Sequence, residues 1–194
     1  MLVWFAVLAQ VVELVDTRDL KSLEGNFVPV QVRLWAPLFD TINSRLMFKE
    51  EFMLSAIEQA KISSQMGEVP VGCVITLEDK IIGIGRNRCI SKKSPVRHAE
   101  IEAIEMACNE LQNYRLINTS IFITLEPCHM CCMAIVNARI SNLFFGALEP
   151  KTGSIVSVDT FLDRSFLNHK VSYSGPHLEE ECSLLMKNFF QSRR

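Results

Sequence analysis

The sequence lacks the surplus of positive charge that would attract nucleic acid to the whole molecule. It holds 20 lysines and arginines against 22 aspartates and glutamates, which gives a formal net charge of -2. Any contact with RNA must therefore come from a local basic surface. Internal repeats and low-complexity tracts are also missing, and 194 residues provide apolar material for one well-packed domain.

A membrane span and a secretion signal are likewise absent from the pattern. The apolar run Leu2–Ala9 is far shorter than the roughly 20 residues that cross a bilayer, and no basic segment precedes it. The seven cysteines form an odd number and lack the regular spacing of a small disulfide-bonded secreted protein. We therefore expect a protein of the reducing cytoplasm without membrane contact.

Residues 1–46 differ from the rest, because their apolar and charged residues follow no sustained helical or strand period. Part of this segment, residues 11–37, resembles a bacterial leucine tRNA gene translated as protein. PVQVR at 29–33 can be encoded by codons containing GGTTCAAGTCC, the string of a TΨC arm. DLKS at 19–22 can be encoded by codons that spell an anticodon loop reading TAA.

We infer that residues 1–46 are a mis-annotated extension and that translation begins at Met47 or, as a second choice, at Met53. A genuine disordered extension is the alternative. Residues 47–194 then form one globular domain.

From Met47 onward, helical and strand periods alternate, which predicts an α/β fold with a sheet covered by helices. The predicted helices span residues 47–66, 98–111, 128–138, 156–163 and 176–192. The predicted strands span residues 69–76, 81–84, 119–125, 141–147 and 169–173.

Two short motifs, each at the start of a predicted helix, carry the chemistry. Cys128 and Cys131 lie three residues apart, so both thiolates face one side of a helical turn and can share a tetrahedral zinc ion with His98. Three protein ligands leave the fourth position open for a water molecule that becomes a nucleophile near neutral pH. Glu100, two residues beyond His98, is placed to move the protons.

The combination is much more specific than either motif alone. A lone C-x-x-C indicates a redox pair or half of a structural zinc site as often as a catalytic one. H-x-E together with P-C-x-x-C is the signature of zinc-dependent nucleobase deaminases.

From Met47 to its end, the chain resembles the cytidine deaminase superfamily and, within it, the bacterial tRNA-specific adenosine deaminases. The resemblance identifies residues 47–194 as a zinc deaminase domain of the CMP/dCMP type. The matching pieces are EVPVG at 68–72, GxN at 85–87, HAEIEAI at 98–104, QNYRL at 112–116, TLEPCxMC at 124–131, FGA at 145–147, KTG at 151–153, NHKV at 168–171 and FFxxRR at 189–194.

The resemblance implies a homodimer, one Zn²⁺ per subunit and a three-layer α/β/α fold with a central mixed five-stranded sheet. It implies deamination of adenosine to inosine at wobble position 34 of a tRNA, usually an arginine tRNA, bound by its anticodon stem-loop. Asn87 matches the residue that contacts the flipped nucleoside. The resemblance also indicates possible RNA contacts at Lys151, Asn168, His169, Lys170, Phe189, Phe190, Arg193 and Arg194.

Several of these residues keep a second interpretation. Asn168 and His169 are either solvated loop residues or RNA contacts, and the aromatic and basic C-terminus either packs as a helix end or grips the stem-loop. His129 is interpreted as solvent-facing or near RNA rather than as a ligand. The cysteines interpreted as core residues are Cys73, Cys108, Cys132 and Cys182.

Two other functions compete with this one. A deaminase of free bases, nucleosides or nucleotides, such as a guanine or cytosine deaminase, would keep every zinc-site residue but would not need an extended surface that contacts phosphates. A catalytically silent RNA-binding subunit would keep zinc for stability, but such subunits usually lose the glutamate, and Glu100 is present.

We expect Met47 to be the first residue of the protein made in its native cells. Mass spectrometry of N-terminal peptides tests this, and ribosome footprints provide an independent measurement. A peptide from residues 1–46, or a footprint that begins at Met1, would contradict the expectation.

Overall fold

The structure is a computed structural model that describes residues 47–193. The hypothesis about residues 1–46 and the contact expected of Arg194 lie outside this range.

The α-helices of the described residues are Glu50–Gln65 (α1), Ala99–Leu111 (α2), His129–Asn137 (α3) and Glu179–Gln191 (α4). The strands are Gly72–Leu77 (β1), Lys80–Arg86 (β2), Ser120–Leu125 (β3), Asn142–Ala147 (β4) and Ser172–Ser174 (β5).

The strands form one mixed sheet in the order β2-β1-β3-β4-β5. β1 pairs antiparallel with β2 and with β3, whereas β3 with β4 and β4 with β5 are parallel. Helices cover both faces, which confirms the predicted three-layer α/β/α fold. Among residues 47–193, no helix has the length and apolar character needed to span a membrane.

Side chains of the three central strands alternate between two apolar cores, one on each face of the sheet. The core against α2 and α3 receives Cys73, Ile75, Ile121, Ile123, Leu143 and Phe145. The core against α1 and α4 receives Val74, Phe122 and Phe144. Because both faces are covered, β3 and β4 are nearly continuous apolar runs in the sequence.

β1 and β2 form a hairpin with a two-residue turn. Glu78 and Asp79 are its two central residues, with φ values of 48° and 65°. Positive φ at both positions defines the turn whose twist matches that of paired strands.

The helix predicted over residues 156–163 was wrong for most of its length, because only Phe161–Asp163 forms a single 3-10 turn. The N–H groups of Val158 and Phe161 donate to the carbonyl oxygens of Gly153 and Ser154, five and seven residues back. An α-helix needs acceptors four residues back, so no helical ladder forms here. The backbone N–H groups of Ile155, Val156 and Ser157 donate to the Glu126 carboxylate.

The contact between β2 and α2 depends on a glycine. A Cβ atom at Gly85 would lie 1.9 Å from the Ala99 carbonyl oxygen and 2.6 Å from the Ala103 nitrogen. Only a residue without a side chain lets the strand approach the helix backbone this closely. Because α2 begins at Ala99, this contact also sets the position of the preceding residue, His98.

We expect Gly85→Ala to lower the free energy of unfolding by about 3 kcal/mol, since the added methyl group meets backbone atoms that cannot move alone. Urea unfolding measures the change, and Lys80→Ala, an exposed change on the same strand, is the control. Equal stability of the two variants would show that α2 can shift at little cost.

Candidate active site

The candidate site lies at one edge of the sheet, where β3 and β4 end. Leu125 and Ala147, the last residues of these strands, are paired, so both carboxyl ends open at the same place. β2 ends there too, because Arg86 pairs with the first residue of β1. A pocket of about 530 Å³ occupies this edge.

His98 and Cys128 hold equivalent positions at the starts of two helices. Each is the N-cap residue with extended backbone, His98 before α2 and Cys128 before α3. The free N–H groups of a helix start and the positive end of its dipole favour a nearby thiolate. The prediction that both motifs begin helices is confirmed.

The fold brings His98, Cys128 and Cys131 together as a group that could hold a metal ion. The two sulfur atoms are 3.8 Å apart. The His98 Nδ1 atom lies 3.8 Å from Cys128 Sγ and 3.4 Å from Cys131 Sγ.

The two cysteine side chains compete for one proton. The hydrogen bond between them, with help from the His98 ring, lowers the pKa of Cys128 to about 3. The same contact raises the pKa of Cys131, because one thiol must donate to the other's thiolate. A cation placed between them would remove this competition and favour two thiolates.

Glu100 lies in the same pocket with only 3% of its surface exposed. Burial raises the pKa of its carboxyl group, while its own backbone N–H and the His98 ring oppose the rise. A carboxyl group with a raised pKa is suited to accept and return a proton near neutral pH.

Asn87 follows β2 and lines the pocket beside His98. Its Oδ1 atom accepts a 3.0 Å hydrogen bond from the Ala99 N–H. That bond fixes the orientation of the amide and leaves the Nδ2 group as the donor.

One wall of the pocket is a stripe of α4 that sequence analysis found only in part. Phe190 was expected near the substrate and does line the pocket, but Ser183, Met186 and Lys187 were missed. They precede Phe190 by seven, four and three residues, which is the spacing of one helical face. This spacing was the available signal. Lys151 also lines this pocket.

Phe189 and Arg193 pack at the end of α4 rather than in the pocket. Phe189 is buried, and the Arg193 guanidinium stacks 4.1 Å from the centre of its ring. Arg193 also donates a hydrogen bond to the Gly67 carbonyl. An RNA contact by either residue remains a prediction.

Asn168, His169 and Lys170 lie near the opposite end of β4. The Asn168 side chain accepts a hydrogen bond from Arg139, and the His169 ring contacts the Ile140 carbonyl oxygen at 2.7 Å. Ile140 precedes β4, and a strand of this length spans about 20 Å. These three residues are therefore not brought to the pocket of the same chain, and their RNA contacts remain predictions.

His129 and Cys132 stand outside the metal-binding group. His129 is half exposed and its Nε2 atom lies 3.0 Å from the Asp159 carboxylate. Cys132 is buried, as are Cys73 and Cys182, so these three are confirmed as core residues, while Cys108 is partly buried. All seven cysteines are free thiols.

Comparison with known proteins identifies the family of the chain. The family model for MafB19-like deaminases matches residues 47–194. A tRNA-specific adenosine deaminase of Haemophilus influenzae is 42% identical over 156 residues, which cover 80% of this chain and 90% of that protein. The chain belongs to the deaminase family that includes the tRNA-specific adenosine deaminases.

Two solved structures extend the comparison of this deaminase. One, from a study of A-to-I editing by tRNA:A34 deaminases at the wobble position of transfer RNA, superposes with a TM-score of 0.69 at 34% identity; the match covers 71% of this chain and 99% of that one. The other, a guanine deaminase from Bacillus subtilis, gives a TM-score of 0.53 at 29% identity, with coverages of 76% and 94%.

Proposed function

We propose that the protein hydrolyses adenosine to inosine at wobble position 34 of a tRNA, with an arginine tRNA as the substrate. The observation that carries the proposal is the meeting of His98, Cys128 and Cys131 with the buried Glu100 in one pocket. The 42% identity to a tRNA-specific adenosine deaminase supports adenosine in tRNA as the substrate.

The three side chains fit zinc. Zn–S bonds of about 2.3 Å and Zn–N bonds of about 2.0 Å give tetrahedral edges of about 3.8 Å between sulfurs and about 3.5 Å between sulfur and nitrogen. The measured separations are 3.8 Å between the sulfurs, and 3.8 and 3.4 Å from sulfur to nitrogen. His98, Cys128 and Cys131 would hold one ion per chain, as the sequence predicts.

The reaction replaces the 6-amino group of adenine by oxygen from water and releases ammonia. Zinc held by His98, Cys128 and Cys131 would supply the Lewis acidity that makes a water molecule nucleophilic near neutral pH. Glu100 transfers two protons in turn, one from the attacking water to the ring nitrogen and the second from the added hydroxyl group to the departing amine. Its burial keeps the carboxyl group ready for both transfers.

Asn87 holds the nucleoside in the pocket. Because its Oδ1 atom is engaged by the Ala99 N–H, its Nδ2 group donates to the substrate. Lys151 and Lys187 place positive charge on the pocket wall, where phosphates flanking a flipped base would lie, and the half-exposed Phe190 offers a ring for stacking. We also propose that the protein acts as a homodimer in the cytoplasm.

Removal of any one ligand should abolish stoichiometric zinc binding. We expect His98→Ala, Cys128→Ala and Cys131→Ala each to hold well under one zinc per chain, because two remaining ligands form a weak site. Elemental analysis after dialysis measures the zinc, and Cys132→Ala is the matched control, since it removes an adjacent buried thiol. Full occupancy in Cys131→Ala would contradict the ligand assignment.

Zinc-loaded protein should form inosine in an arginine tRNA anticodon stem-loop that carries adenosine at position 34. We expect Glu100→Ala to lower kcat by at least about a thousandfold while zinc is retained, because proton transfer is lost. Chromatography of nucleosides from digested RNA measures inosine, and Glu110→Ala, an exposed change on the same helix, is the control.

The same assay tests the second candidate, a free-base deaminase, which the resemblance to guanine deaminase favours. Free guanine, cytidine and adenosine are offered beside the stem-loop. Activity on a free compound alone would assign the protein to that class, and undiminished inosine formation by Glu100→Ala would contradict the mechanism.

A further inference from the structure

Glu126, the first residue after β3, has no role in the reaction proposed above. We propose that Glu126 is a positioning residue that fixes the loop at residues 148–157, one wall of the active site, before substrate binds. The inference rests on the proposed function only for its kinetic consequence.

Five hydrogen bonds join the Glu126 carboxylate to this loop. Its Oε1 atom accepts from the backbone N–H groups of Ile155, Val156 and Ser157 at 2.9, 2.8 and 3.0 Å. Its Oε2 atom accepts from the Glu149 N–H at 3.1 Å and from the Ser157 hydroxyl group. One side chain therefore holds both ends of the loop.

The carboxylate is buried, and hydrogen bonds from the loop offset the cost of burying its charge. Glu126 is only 2% exposed, and within residues 47–193 it forms no ion pair with lysine, arginine or histidine. A buried carboxylate that loses its donors is costly, since it cannot recover water. If the loop left this position, the carboxylate would stay buried without hydrogen-bond donors.

The backbone of Glu126 is fixed independently of the loop. Its N–H donates to the Ala147 carbonyl oxygen at 2.8 Å, which continues the pairing of β3 with β4. Gly153 lies directly over the carboxylate, where a Cβ atom would be 2.3 Å from Oε2, and forms a β-bridge with Cys128. The Glu126 side chain therefore has a fixed position at the end of β3, and the loop packs around it.

The segment held between these bonds faces the substrate. Glu149, Pro150, Lys151 and Thr152 all line the pocket, and they lie between the two attachment points on Glu126. A loop that is ordered in advance does not have to be ordered by the substrate, so binding gains what ordering would have cost. Loss of the hydrogen bonds to Glu126 should therefore raise KM more than it changes kcat.

Zinc-loaded full-length Glu126→Gln tests the proposal. The amide keeps the size of the side chain but turns an NH₂ group toward donors and removes the charge. We expect amide hydrogen exchange in residues 149–157 to rise at least about tenfold, with exchange in 90–97 unchanged. KM for the stem-loop should rise by about tenfold, kcat should change by less than about threefold, and zinc should stay at one per chain.

Glu110→Gln, the same substitution at an exposed site, should change none of these values. Ser157→Ala removes a single donor and should change exchange and KM in the same direction by a smaller factor. It keeps the test decisive if Glu126→Gln fails to fold.

Unchanged exchange in residues 149–157 would overturn the proposal, and so would a lower fraction of active enzyme at unchanged KM. Loss of zinc from Glu126→Gln would also overturn it, because Glu126 would then support the metal site rather than the loop. Hydrogen exchange and zinc content do not depend on the substrate. Absence of RNA deamination by the wild type would therefore overturn the proposed function, while the exchange measurement would still test the role of Glu126 in the loop.

Discussion

The distance between two helix starts is the constraint on which the site depends. α2 and α3 lie on the same face of the sheet, and their N-cap residues, His98 and Cys128, meet at one edge. Close packing of α2 on β2, where Gly85 leaves no room for a side chain, sets one of the two positions. The end of β3 sets the other. A shift of either helix by an ångström would spoil the tetrahedral spacing.

Two buried glutamates in the pocket show how environment decides what a carboxyl group does. Burial raises the pKa of Glu100, which suits it to exchange protons. Glu126 is also buried, but its hydrogen bonds from Ser157 and from backbone N–H groups outweigh burial and lower its pKa. We therefore propose different roles for the two carboxyl groups, proton transfer for Glu100 and loop positioning for Glu126.

Most of the fold and the centre of the site could be predicted because their signals are local. The periods of apolar residues in β3, β4 and α2 reflect which faces are covered, and H-x-E and C-x-x-C place their side chains within one helical turn. The wall residues on α4 had a weaker signal. Met186 and Lys187 share a helical face with Phe190, but nothing in the sequence says that this face meets the pocket.

The sequence alone determined the α/β class and the types and spacing of the candidate metal ligands, because these follow from backbone periodicity and from the coordination preferences of zinc. Only the tertiary structure decided that the N–H groups of residues 155–157 bond to Glu126, and that His169 lies near Ile140 rather than beside Lys151. These outcomes depend on partners far apart in the chain. A buried carboxylate needs donors, but no short window of sequence contains both the carboxylate and the groups that donate to it.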